Sequence, residues 1–188
     1  MEPSMPLRPN ALSSGFIAPC LATSAPQPPS GGIWLHEIKH DGFRIIGRKN
    51  DKRVKLYSRP GNDLTYRFPL IVEALAKLRS RSCIIDGEAV ACSEDGIACF
   101  DHIRYRRHDG RVFLYAFDLI ELDGEDMRRD PLAVRKATLE RILARAAPAA
   151  DVTLAHRRLR IRRRSLARFA QRRRNVCHSS RPALGSIR

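Results

Sequence analysis

The apolar periodicity of this chain stops at Ala150, and that break limits what can fold. Residues 151 to 188 contain twelve arginines, no lysine and a single acid, Asp151. Stretches such as Leu159-Arg-Ile-Arg-Arg-Arg and Gln171-Arg-Arg-Arg carry neither a helical stripe nor strand alternation. A segment so charged cannot bury enough apolar surface to offset the entropy of ordering it. The expectation is therefore an Arg-rich tail, residues 151–188, outside the fold. Most of the net charge of +15 sits in that tail, so the body before it is nearly balanced and of a size for one domain.

The other end is also weak in structure. Residues 1–32 hold seven of the twelve prolines and finish in Pro26-Gln27-Pro28-Pro29-Ser30-Gly31-Gly32. Residues 1–18 are expected to be a disordered lead-in, with the segment nearer Trp34 lying along the domain surface. The folded domain is then expected over 19–150. The five cysteines form no Cys-x-x-Cys pair and no zinc-ligand spacing, which argues against a structural metal or a disulfide framework. No apolar run reaches the 18 residues that a membrane helix needs and no secretory leader is visible, so a cytoplasmic protein is expected.

Between the two ends the pattern reads β-β-β-α-β-β-α. Short β-prone runs at Ile33–Ile38, Phe43–Arg48 and Val54–Tyr57 are separated by turn chemistry at Asp41-Gly42 and at Lys49-Asn50-Asp51-Lys52, which suits an antiparallel meander. Pro69–Leu78 has a helical stripe at Ile71, Val72, Leu75 and Leu78. Cys83–Cys92 and Arg111–Ile120 read as strands, with a turn at Asp123-Gly124, and Pro131–Ala146 as a second helix. This order predicts an α+β domain with mainly antiparallel sheets.

Four short islands carry chemistry: Glu37-Ile38-Lys39-His40-Asp41-Gly42-Phe43-Arg44, then Ser58-Arg59-Pro60-Gly61, Asp86-Gly87-Glu88, and Tyr115-Ala-Phe117-Asp118 running into Leu122-Asp123-Gly124. Singly each is weak. A lysine beside two acids is usually an ordinary surface lysine; an ammonium becomes a nucleophile only where burial or neighbouring cations lower its pKa. In this order and spacing they resemble the covalent nucleotidyltransferase superfamily, and within it the ATP-dependent DNA ligases of bacterial type. The resemblance runs from about Pro19 to about Ala147.

That resemblance implies an antiparallel-sheet, ATP-grasp-like adenylation domain. It implies that Lys39 attacks the α-phosphorus of ATP and holds AMP as a phosphoramidate. Arg44 and Arg59 would clamp phosphate or ribose oxygens, since a guanidinium makes planar forked bonds. Glu88 would receive the ribose hydroxyls, Phe117 would stack on adenine, and Glu37 and Ile38 would meet the adenine edge. The implied cofactors are ATP as co-substrate and Mg2+; the implied partner is nicked duplex DNA, with the chain a monomer. His36 and His40 are expected to be bystanders.

The sequence also departs from the family. A Glu-Gly-hydrophobic-Val-x-Lys strand, a Lys-x-Lys strand and an OB-type barrel are expected after the second helix, and none is found. The compositional shift there resembles translation in another frame after a deletion, an idea that fails if no downstream frame encodes the Glu-Gly-x-Val-x-Lys segment. Two other readings stand beside the ligase: a non-catalytic basic module binding nucleic acid through the tail, and an RNA ligase or capping guanylyltransferase. Removing residues 151–188 separates the first from an adenylating body.

Overall fold

The computed structural model describes residues 15–21, 35–36, 40–92, 98–105, 109–145 and 179–180. At its centre is a five-stranded antiparallel sheet with strand order β3-β2-β4-β5-β6. β2 (Phe43–Asn50) and β3 (Arg53–Ser58) form a hairpin. Its tight turn is made possible by Asp51 at φ 51°, the left-handed conformation that Asp tolerates better than most residues. β4 (Ser82–Ala91) lies on the other edge of β2, and β5 (Val112–Leu122) on the far edge of β4. A second turn with two positive φ values, Asp123 at 51° and Gly124 at 96°, returns the chain to the short β6 (Glu125–Asp126). Both turn sequences match the expected chemistry.

One expected pairing is corrected. The run around β1 (Leu35–His36) is not the first strand of the meander; it pairs instead with β7 (Ser179–Ser180). Both edges of β2 are already occupied, by β3 and β4. Nor is Asp41-Gly42 a hairpin turn. A Cβ at Gly42 would stand 2.1 Å from the Ala89 carbonyl oxygen, so the glycine is there because two backbones approach closely.

The helices fall near their expected positions. α1 spans Pro69–Ala76 with proline at its first turn, and α3 spans Leu132–Ala144 after Pro131. The short α2 (Phe100–Arg104) was not legible: five residues with one buried apolar side chain, Ile103, leave no stripe to read.

Strand alternation divides the sheet into two unlike faces. Ile45, Leu56, Ile85, Leu114 and Leu119 are fully buried with Ile71 and Leu75 of α1 and Leu139 of α3. A one-residue slip would turn this set outward, so the register is strongly specified. The opposite face carries a smaller cluster, Ile46, Ile84 and Ile120, covered by Phe16, Ile17 and Tyr57. Residues 15–18, which the sequence reading grouped with the lead-in, therefore lie against the sheet. β5 also carries irregularities where Asp86 pairs with Asp118 but Gly87 pairs with Ala116. Phe117 is left without a partner on β4, a bulge that re-aims its side chain.

Candidate active site

The polar half of that second face is organised by strand register. Arg44 of β2 is paired with Glu88 of β4, and Glu88 with Tyr115 of β5; directly opposed residues share a face, so the three stand side by side. Two residues along, Asp86 faces the same way. The Arg44 guanidinium reaches it with both prongs, Nε to Oδ1 at 2.6 Å and Nη2 to Oδ2 at 2.7 Å. The guanidinium carbon also lies 4.4 Å from the centroid of the Phe117 ring, a favourable stacking of cation on π face. Burial pushes the Asp86 carboxyl above its ordinary value, against the downward pull of Arg44, and nearby Asp118 adds to the rise.

The bulge that presents Phe117 is held from behind by α3. Lys136 Nζ donates to the Phe117 carbonyl at 2.6 Å. Arg135 makes its own fork onto Asp118, at 2.8 and 2.9 Å, and donates to the Asp130 carbonyl at 2.8 Å. Phe117 is thus fixed by its backbone while one face of its ring carries Arg44. A base would have to use the other face.

Of the residues named from sequence, the fold brings Arg44, Glu88 and Phe117 together. Arg59 sits at an exposed turn, Ser58–Gly61, just beyond the pairing of Ser58 with Ile45, and the turn is closed by Gly61 N–H donating to the Ser58 carbonyl at 2.9 Å. Lys39, Glu37 and Ile38 lie outside the described residues. His40, the next residue after Lys39, stacks on Tyr115 with ring centroids 3.9 Å apart and planes within 7°. Burial lowers the His40 pKa from its ordinary value, with Asp41 pulling the other way.

Sequence reasoning did not name Asp86, Arg135 or Lys136. Asp86 could have been found, because an antiparallel register that opposes Arg44 and Glu88 also puts the β4 residue two before Glu88 on the same face. The contributions of Arg135 and Lys136 have no local signature. They read as ordinary charges on a helix until the helix is docked.

Among the described residues no group of three His, Cys, Asp or Glu side chains is arranged to hold a metal, and Asp86 and Asp118 are engaged by Arg44 and Arg135. None of the described helices is long and apolar enough to cross a membrane.

A family model for the ATP dependent DNA ligase domain matches residues 19–171. The chain belongs to the ATP-dependent DNA ligase family. The match runs 21 residues past Ala150, beyond the point where composition changes. The multifunctional non-homologous end joining protein LigD of Pseudomonas aeruginosa is 39% identical over 131 residues, covering 68% of this chain and 16% of that protein. DNA ligase 2 of Thermofilum pendens is 32% identical over 143 residues, covering 68% of this chain and 24% of its own length. Among solved structures, a mycobacterial DNA ligase D complexed with ATP superposes with a TM-score of 0.56 at 33% identity, over 69% of this chain and 43% of that one. The ligase-family chain described here therefore spans a minor part of the curated relatives it matches.

Proposed function

We propose that this chain carries the adenylation chemistry of an ATP-dependent DNA ligase, with Lys39 as nucleophile. In that reaction the lysine amine, having lost a proton, forms an N–P bond to the α-phosphorus of ATP as the bond to the pyrophosphate oxygen breaks. AMP is left on the lysine for transfer to the 5′-phosphate of nicked duplex DNA. Catalysis of such a step is largely a matter of alignment and of absorbing charge on the phosphates. Arg59 supplies an exposed cation for that purpose. Arg44, held by Asp86, supports the Phe117 ring and the sheet face rather than acting as a free phosphate clamp. Glu88 receives the ribose hydroxyls, and Phe117 receives adenine on the ring face away from Arg44. Glu37 and Ile38 meet the adenine edge.

The observation that supports this reading most is the meeting of Arg44, Glu88 and the bulged Phe117 on one sheet face, at the start of the strand that follows Lys39 by four residues. Magnesium would arrive with the triphosphate, whose oxygens are its natural ligands. The whole reaction, nick sealing in DNA repair by a cytoplasmic monomer, follows from the same reading. Incubating the protein with α-labelled ATP and magnesium tests it. Label is expected on wild type and absent from Lys39→Ala; label that persists in Lys39→Ala removes Lys39 from the mechanism.

A further inference from the structure

The sheet face opposite α1 and α3 is crossed by a segment that precedes every island of the ligase resemblance. Residues 15–20 run along β2. Arg48 Nη1 donates to the Gly15 carbonyl at 2.8 Å, and Arg44 Nη2 lies 3.4 Å from the Cys20 carbonyl. Arg48 and Arg44 are four strand residues apart, roughly 13 Å along β2, a span that six residues cover in extended form. Between the two anchors Phe16 and Ile17 close the apolar cluster of Ile46, Ile84 and Ile120.

Phe16 also reaches from this cluster toward the Arg59 turn. Its ring packs on Tyr57 at 5.7 Å between centroids, just before the Arg59 turn. It also abuts Gly61 inside that turn: a Cβ added there would meet the Phe16 ring at 3.2 Å. Gly61 is at φ 94°, a conformation that suits glycine, and an added Cβ would sit tight enough against the ring that the ring must give by a few tenths of an ångström. Around Ser58 the loop is also held by polar bonds: Ser58 N–H to the Asn62 carbonyl at 2.9 Å, Gly61 N–H to the Ser58 carbonyl at 2.9 Å, and Asn62 N–H to Ser58 Oγ at 3.0 Å. Most of this loop is exposed, so water competes for those bonds. The Phe16 ring adds an apolar buttress to these bonds.

We propose that Phe16 is a positioning residue for Arg59: the strap of residues 15–20 wedges the Phe16 ring between Tyr57 and Gly61 and so fixes the turn that presents the Arg59 guanidinium to nucleotide. The proposal rests on the reading of Arg59 as a nucleotide-binding cation. It adds a part of the chain lying before Lys39 to the machinery of the site.

Two measurements on the full chain test it. Amide hydrogen exchange is compared for wild type, Phe16→Leu and Ile17→Ala; the last trims the same cluster without removing the ring from Gly61. Gly61 and Asn62 are expected to exchange roughly tenfold faster in Phe16→Leu, by local opening of the turn, and at the wild-type rate relative to β4 in Ile17→Ala. Unchanged exchange at Gly61 and Asn62 in Phe16→Leu overturns the proposal. ATP affinity is then measured for wild type, Phe16→Leu, Arg59→Ala and the double variant. If Phe16 acts through Arg59, Phe16→Leu weakens binding about fivefold in the wild-type background and less than about twofold where Arg59 is already gone, the non-additivity expected of coupled residues. Equal losses in both backgrounds overturn it. Should the wild-type chain fail to bind ATP, the proposed function falls, while the exchange comparison still decides whether Phe16 holds the turn.

Discussion

Arg44 and Asp86 meet through two parallel hydrogen bonds of 2.6 and 2.7 Å, on neighbouring strands, 42 residues apart in sequence. Their side chains retain only 18% and 5% of full exposure. The fork geometry makes the pair specific, and burial makes it asymmetric. Burial of Asp86 outweighs the pull of Arg44 on its carboxyl, so the pair only partly offsets its desolvation, and either partner alone is a buried charge without compensation.

Asp86→Ala is accordingly expected to destabilise the protein by about 3 kcal/mol or more, the range for breaking one side of a buried ion pair. Arg44→Lys should also be costly, since an ammonium cannot replace the planar fork or its stacking on Phe117. Denaturant unfolding measures both. An Asp86→Ala midpoint indistinguishable from wild type would show the pair to be solvated in solution.

The stack of His40 on Tyr115 gives a pH prediction. Burial holds the His40 pKa below its ordinary value of 6.5, so the unfolded chain takes up this proton before the folded one does. The stability His40 contributes is present above pH 6.5 and is lost as pH falls through the lower folded value. His40→Phe keeps an aromatic ring on Tyr115 and cannot titrate. The difference in unfolding free energy between wild type and His40→Phe should shift against wild type as pH falls from 7 to 5. A difference that stays flat over that range would place His40 in water, off the Tyr115 ring.

How much was legible beforehand follows from which interactions are local. The strands β2 to β5 and helices α1 and α3 came from patterns within a dozen residues: alternation, a proline at a first turn, Asp-Gly at a reversal. Glu88 and Phe117 were placed by resemblance, and the register then brought them beside Arg44. What escaped was nonlocal. Nothing near Asp86 says that its carboxylate meets Arg44, and nothing near Phe16 says that it leans on Gly61. The β1 error has the same origin: β-propensity identifies an extended run but cannot tell which edge is free to receive it.

Lys136 is expected to matter more for nucleotide than its place on a helix surface suggests. Its ammonium donates to the Phe117 carbonyl at 2.6 Å, holding a bulge that has no partner on β4. Lys136→Met removes the donor while keeping the stem. Loss of a hydrogen bond to a charged group should cost about 1.5–3 kcal/mol of stability, and ATP should bind several-fold more weakly as the Phe117 ring loosens. Calorimetric unfolding and ATP titration of the same variant check the two parts. Lost stability with unchanged affinity would mean that Phe117 does not touch the base.

Gly42, three residues after Lys39, ties the proposed nucleophile to the sheet. A Cβ there would fall 2.1 Å from the Ala89 carbonyl oxygen and 2.9 Å from Val90 Cγ1. The first obstacle is backbone and cannot rotate away. Gly42→Ala must push the start of β2 off β4, where Phe43 pairs with Ala89 and Arg44 with Glu88. The strain should cost at least about 1–3 kcal/mol, the usual range for overpacking. Because a displacement near 1 Å can slow an aligned reaction about a hundredfold, labelling of Lys39 by ATP should fall further than stability alone explains. Gly110→Ala is the control, since an added Cβ there has nothing within 4 Å; it should leave both unfolding and labelling at wild-type values. Gly42→Ala with wild-type labelling would show that the chain before β2 aligns Lys39 without the close contact between Gly42 and Ala89.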